Sequence, residues 1–469
     1  MIVNWLRRLF STRYMVKEKW VRGELIPSKE AYRSSLAIAL PAVVEMVSIS
    51  LIGMADTAMV GRLGTYAITA VGLTGQPRLL FLSVFTALNI GVTAVVSRRK
   101  GEGDKAAANL CLRQSLLVGL ALGIIMSVLA VSLAEPVMIL AGAQPDTLPA
   151  SATYFQVTSS GMLIQVMSMI ICAAQRGVGN TRITMYVTVS ANIVNVICNF
   201  LLIEGNLGFP RLEVQGAAIA TVIAYTVGLC LAIASVLNKK SYIRIARNDS
   251  WRADFPMLKV LGRLGGNSIV EQLAMRAGFF AFAVVIANLG TDAFAAHQIT
   301  MLLMGLSFTF ADGIGAATTA LVGQNLGKKR PDLSIMYGQI GQRLAFLASV
   351  CLASLSFFGR RHFPLLFTGD PEIVALSGSL LVILTAIQPV QTSQIVLGGS
   401  LRGAGDTKFV AMTMLLTVTF IRPTLAFILT YAAGMGILGC WLAIFFDQCV
   451  RLVMLFRRFM SGKWMHIRV

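Results

Sequence analysis

The chain has 469 residues, 56% hydrophobic and 13% charged, with a mean hydropathy of +0.74; soluble domains carry about 25% charged residues, which excludes a water-soluble globule and puts most of the chain in lipid. The formal net charge of +19 comes from short basic loops between apolar runs, not from the basic, aromatic-interleaved domain that nucleic-acid binding needs. Seven cysteines stand singly in apolar context without metal-ligand spacing and read as small core residues.

The N-terminal stretch MIVNWLRRLFSTRYMVKEKW is basic and amphipathic, and it lacks the apolar run and small-residue cleavage site of a signal peptide. Residues 1–33 are therefore expected to form a cytoplasmic basic arm on the membrane surface. At about 20 apolar residues per crossing, twelve spans are expected, at roughly 34–60, 69–97, 110–134, 150–175, 183–204, 213–238, 258–288, 294–323, 335–358, 375–400, 407–431 and 436–458. Lys and Arg crowd alternate loops: Arg98-Arg99-Lys100, Arg176 with Arg182, residues 239–263, Lys328-Lys329-Arg330, and Arg402 with Lys408. The opposite loops keep only Arg62, Arg211, Arg360 and Arg361. This bias predicts a multi-pass protein of the cell membrane with both termini cytoplasmic.

Span 1, LAIALPAVVEMVSISLIGMADTAMVGRLG, holds Pro41, Glu45 and Asp56. A carboxylate at this depth costs about 3 kcal/mol and is rarely kept without a partner or a task. Span 5 carries Asn192, Asn195 and Asn199 at helical spacing, hence on one face, and Thr221 enters span 6 at a similar level. One carboxylate, amide oxygens and a hydroxyl make a plausible cage for a proton or Na⁺, because hard cations take oxygen ligands; the bland alternative is hydrogen bonding that glues spans 1 and 5. Pro41 removes a helix hydrogen bond and gives span 1 either a state-dependent hinge or a fixed kink.

A shift of 226 residues lays the chain on itself, placing Glu45 on Glu271, Leu63-Gly64-Thr65 on Leu289-Gly290-Thr291, and Arg176-Gly177-x-Gly179-x-Thr181 on Arg402-Gly403-x-Gly405-x-Thr407. After a three-residue slip Gly216 falls on Gly439. The expected fold is thus all-α and membrane-embedded: two pseudo-symmetric six-helix lobes, 34–238 and 258–460, in a parallel repeat. A cytoplasmic linker, 239–257, joins the lobes, and a tail, 461–469, ends the chain. The glycine-rich turns read as structural, their arginines meeting headgroups or helix C-terminal carbonyls. Glu45 and Glu271 either attract a cationic substrate or are neutralised by Arg78 and Arg276. Asp447 is expected at the interface, paired with Arg451, while Arg422 is the best remaining buried cation and His297 reads as packing.

MADTAMVGRLG with Pro41 fifteen residues before Asp56, the NxxxN of span 5, EVQGAAIATVIAY, LGTDAFAAHQI and SLRGAGDTK together resemble the multidrug and toxic compound extrusion (MATE) family, in its bacterial NorM- and DinF-like form. The resemblance covers nearly everything beyond the arm. It implies a V-shaped two-lobed antiporter that exports cationic amphipathic compounds in exchange for H⁺ or Na⁺, without a cofactor. It also implies an N-lobe coupling group of Asp56, Asn195, Asn199 and Thr221, with Pro41 at the bend of helix 1. Asn199 stands where some members have an aspartate. In the C-lobe, Gln391 takes the place of a helix-10 acid and Glu271 lies a turn before the usual helix-7 glutamate, at whose place Ala274 sits. Glu45, Glu271, Arg276 and Gln391 are the candidate substrate-cavity residues. The expected partners are small cationic molecules and the bilayer, with no nucleic acid, and the protein is expected to be a monomer. The rival readings are a flippase for lipid-linked glycans or other lipids, which would want a more basic cavity, and a polytopic membrane enzyme. Three scattered histidines, His297, His362 and His466, argue against the enzyme.

Overall fold

The computed structural model describes residues 10–246 and 248–467, with backbone alone at Thr65; the expected arm and tail extend beyond it at 1–9 and 468–469. Among the described residues all regular structure is helical. Eleven helices are long and apolar enough to cross a membrane, and a bent pair supplies a twelfth. In chain order they are α1 (Ser28–Gly61), α2 (Thr65–Glu102), α3 (Lys105–Ser132), α4 (Leu148–Ser160 with Met162–Gly177), α5 (Thr181–Leu202) and α6 (Glu213–Leu237). There follow α7 (Phe255–Ala287), α8 (Thr291–Gly327), α9 (Pro331–Gly359), α10 (Pro371–Gly403), α11 (Thr407–Ala432) and α12 (Gly436–Ser461).

Three spans depart from uniform helix. The halves of α4 meet at 47°, at Ser160-Gly161, where a side chain on Gly161 would come within 2.8 Å of the Val222 methyl; Gly/Ser pairs are a usual seat of kinks. Beyond α3 the chain turns at Leu133 into a short helix, Ala134–Leu140. In α11 two π segments, Leu415–Ile421 and Ile428–Ala432, flank Arg422-Pro423, because a proline ring displaces the regular ladder.

The 226-residue repeat reappears in the backbone. Gly179 and Gly405 both adopt φ near the left-handed region, 84° and 87°, the conformation glycine reaches without cost. Gly216 and Gly439 both lie against the preceding helix: a Cβ would fall 2.4 Å from the Leu202 carbonyl oxygen in one and 2.7 Å from the Leu429 carbonyl carbon in the other.

The chain divides into two compact units, Val44–Gly265 and Met1–Val43 with Gly266–Val469, so the divisions fall inside α1 and α7. In the first unit α2 packs on α3 and α4, and α5 on α6. The segment after α6 is pinned to α3 at three points: Asn109 accepts from the Arg244 amide (2.8 Å), Gln114 donates to the Arg252 carbonyl (2.7 Å), and Arg113 pairs with Asp249 (2.7 Å). Burial works against the Asp249 charge, but the Ala246 amide and Arg113 outweigh it and hold the carboxyl below the usual carboxylate range. In the second unit α10 packs on α8, α9 and α12.

The described part of the arm, expected on the membrane surface, is docked on the protein. It makes two short 3₁₀ turns, Thr12–Tyr14 and Glu18–Trp20, and buries Met15 and Val16 in a cluster with Phe459 and Trp464. The Arg22 amide donates to Asp332 and Arg330 donates to the Glu24 carbonyl. Apolar side chains within the basic stretch explain this docking, since each finds more contact against protein than at a headgroup layer.

Candidate functional site

Asp56 lies five residues before the end of α1, about 8 Å of rise, and its Oδ1 accepts a 2.6 Å bond from Asn199 Nδ2. The Asn199 amide also donates to Asn195 Oδ1 (3.2 Å), and Asn195 Nδ2 reaches Thr221 Oγ1 (3.5 Å). The four residues named from sequence thus form one continuous polar chain across α1, α5 and α6. Asn195 and Asn199 stand one turn apart on α5, which lets their amides hand on a hydrogen bond; Gly216 brings α6 close enough for Thr221 to join. Among the described residues Asn199 Oδ1 is buried without a hydrogen-bond partner.

The chain opens onto a cavity of about 420 Å³ within the Val44–Gly265 unit. Asp56 lines one part and Glu45 another, among Met46, Met169, Tyr154 and Tyr225. Arg78 lines it too; it donates to Gln165 Oε1 (3.3 Å), lies 5.5 Å from the Tyr225 ring, and is near enough to interact electrostatically with Asp56. Sequence reasoning named Arg78 as a partner for Glu45 and as one of the few cations a cavity could hold, but it missed the two tyrosines and Gln165 altogether, because single aromatic or amide positions in apolar runs carry no signal of their own.

Glu45 pairs instead with Arg176 (2.8 Å) and accepts from Thr184 (2.6 Å). Its repeat-mate Glu271 pairs with Arg402 (2.5 Å). Neither Arg78 nor Arg276 is the partner, and the arginines of the RGxG(N/D)T turns meet these buried acids in place of headgroups. A signal for this was in the chain: acid and arginine are both carried by the 226-residue repeat, so their separation, 131 residues, is the same in each half. The halves then part company. Thr184 and Thr188, whose hydroxyls reach Glu45, correspond under the same shift to Val410 and Met414, and among the described residues Glu271 Oε2 is buried with no partner.

Of the other cavity candidates, Glu271, Arg276 and Gln391 belong to the second unit and line none of the 420 Å³ cavity. Gln391 is fully buried with both amide atoms unpartnered, as is Arg276 Nε. Asp447 pairs with Arg451 (2.7 Å) as expected, but it is also fully buried and clamped from the other side by Arg422 (2.6 Å), because Arg422 projects from α11 into the same packed interior and an unpaired guanidinium there would be costly. His297 packs among Phe282, Phe294 and Trp441.

The repeat also shows what the polar chain is not. The same shift puts Phe282 opposite Asp56, Met304 opposite Arg78, and Ile421 and Leu425 opposite the two asparagines; the slipped register puts Ile444 opposite Thr221. Phe282, Met304 and Ile444 share one hydrophobic cluster with Leu425 packed against it. The fold is therefore built equally well with apolar groups at these positions, and the polar set is an addition to the scaffold of one half.

A family model, MatE, matches residues 41–201 and again 268–428. A relative described as a probable multidrug resistance protein NorM, from Thermotoga maritima, is 28% identical over 457 residues, covering 96% of this chain and 97% of the relative. The multidrug resistance protein PmpM of Pseudomonas aeruginosa is 26% identical over 386 residues, 82% of this chain and 80% of its own. A solved structure described as the outward-facing conformation of a multidrug resistance MATE family transporter superposes with a TM-score of 0.85 at 20% identity, covering 95% of this chain and 98% of the other.

Proposed function

The chain belongs to the MatE family of multi-pass membrane transporters, and from that premise we propose that it is a secondary active antiporter that exports lipophilic cations in exchange for H⁺ or Na⁺ bound at Asp56. The observation that carries the proposal is the polar chain from Asp56 to Thr221, opening on a walled cavity and replaced by hydrocarbon in the other half. The charges lining that cavity are Asp56 and Glu45 against Arg78 and Arg176, a sum of zero with Asp56 ionised. A cation on Asp56 makes the sum +1. One added charge about 6 Å from a cationic substrate, at an effective dielectric near 20, disfavours it by about 3 kcal/mol, roughly two orders of magnitude in affinity. Binding of the two cations is then antagonistic, and linkage makes the effect reciprocal. Tyr154, Tyr225, Met46 and Met169 offer the aromatic faces and apolar walls that a lipophilic cation prefers.

Both termini are read as cytoplasmic from the loop charges, and the cation is taken to enter from outside. Pro41 serves as the hinge of α1, consistent with the division between units falling two residues beyond it, at Val43–Val44. Residents other than the transported cation are not required, and a single chain carries both halves, so the protein is read as a monomer. The flippase reading asks for a basic cavity, and the charges here cancel. The test is ethidium transport in everted vesicles with the pH and sodium gradients collapsed separately. One of the two collapses should abolish transport by the native protein, and Asp56→Asn should lower gradient-driven transport at least tenfold; undiminished transport by that variant would overturn the assignment.

A further inference from the structure

A second cavity, also of about 420 Å³, lies where the arm crosses α9 and α12, lined by Tyr14–Lys17 of the arm, Gln339, Gln342 and Arg343 of α9, and Phe456 and Met460 of α12. All of these belong to one unit. The cavity is built: Gln339 donates to the Met15 carbonyl (2.7 Å), Met15 and Val16 are anchored in the core below, and Thr12 is tied to Ser28 (3.0 Å) and to the Ile26 carbonyl (3.0 Å).

Its polar side is cationic and unsatisfied. Lys17 and Arg343 line it and no acid does. Arg343 Nη1 and the Tyr32 hydroxyl are both enclosed without a hydrogen bond of full geometry, and the two side chains lie close enough to interact with each other. A guanidinium nitrogen beside a neutral phenol, with no carboxylate lining the cavity, keeps the capacity for a charge-assisted bond. The arm from Phe10 to Arg33 carries six basic and three acidic residues, a net +3, and Trp20, with Lys17 and Lys19 over its ring at 4.9 and 5.5 Å, has the amphipathic character of a residue at the headgroup level.

The other side of the cavity is apolar. Phe456 on α12 and Phe346 and Leu347 on α9 are exposed. Arg343 is the thirteenth residue of α9, a helix of 29 residues and so about 43 Å long against a hydrocarbon core of about 30 Å. With the excess projecting at the arm's end, Arg343 falls about one turn inside the hydrocarbon boundary, from where its long side chain reaches outward to the level of a lipid's phosphate.

We propose that this cavity binds the phosphodiester headgroup of an anionic phospholipid from the leaflet beside the arm, with Arg343 and Lys17 on the phosphate and the acyl chains along Phe456 and Phe346. The lipid completes the hydrogen bonding of Arg343 and fastens the arm to α9 and α12. Nothing in the site depends on Asp56 or on transport.

The experiment uses the purified full-length chain in detergent with dioleoyl phosphatidylglycerol, dioleoyl phosphatidylcholine or inorganic phosphate added, read by thermal unfolding and by native mass spectrometry of retained lipid. Phosphatidylglycerol is expected to raise the Tm of the native chain by several degrees and to survive as a one-to-one adduct, with phosphatidylcholine and phosphate giving neither. Arg343→Gln and, independently, Lys17→Gln on the arm should each lose at least half of the Tm shift and bind the lipid at least tenfold more weakly, while Lys239→Gln keeps both. Equal shifts in both variants would overturn the proposal, and so would a phosphate effect matching that of the lipid, which would mark a site for a free anion. Should Arg343→Gln unfold, Lys17→Gln alone decides.

Discussion

At Arg78 the charge balance of the cavity can be tested directly. Arg78→Gln leaves a sum of −1 with Asp56 ionised and zero with its cation bound, so cationic substrates should bind in both states. The expected outcome is a lower KM for ethidium together with a weaker dependence of transport on the driving gradient, measured in the same vesicles. At Glu45 the expectation concerns stability. Removing one member of a buried ion pair leaves the other uncompensated, at about 3–5 kcal/mol, so Glu45→Gln should lower Tm sharply, and adding Arg176→Met should recover part of the loss. The unmatched oxygen of Glu271 yields an opposite forecast. Val410→Thr supplies the hydroxyl that Thr184 gives Glu45, and should raise Tm, although a buried hydroxyl without a partner would lower it.

Among the elements, the contact of α5 with α6 carries the geometry of the site. Gly216→Ala would put a methyl 2.4 Å from the Leu202 carbonyl oxygen and push α6 outward, at about 1–3 kcal/mol of overpacking. The 3.5 Å contact between Asn195 and Thr221 has no slack and should open. Gly439→Ala imposes the same strain on α12 against α11 without touching the polar chain. Both variants should show a reduced Tm, but at a temperature where both are folded only Gly216→Ala should lose gradient-driven ethidium transport. Equal transport losses would mean that helix spacing acts through stability alone.

For the whole molecule, orientation is the open property that labelling can read. In a chain with its seven cysteines replaced, a cysteine at Asp146 should react with an impermeant maleimide in intact cells, and one at Lys240 only after permeabilisation; the reverse pattern would invert the proposed topology. Composition and span length alone determined that this is a helical membrane protein. The 226-residue shift determined that it is two related halves, and the polar positions on span 5 with Asp56 and Thr221 marked the candidate site, because periodicity, length and charge are properties of local sequence. The repeat carries both Glu45 and Arg176 and the Asp447–Arg451 spacing suggested a pair, but the full set of partners was decided by tertiary structure: Glu45 meets Arg176, 131 residues away, rather than Arg78, and Asp447 holds Arg422 as well as Arg451. Pairings of this kind depend on which helix faces converge in a packed interior where no charge can be left alone, and no pattern along one span records them. The cavity beside Asp56 and the docking of the arm on α9 and α12 belong to the same class, since both arise from space enclosed between helices rather than from any one of them.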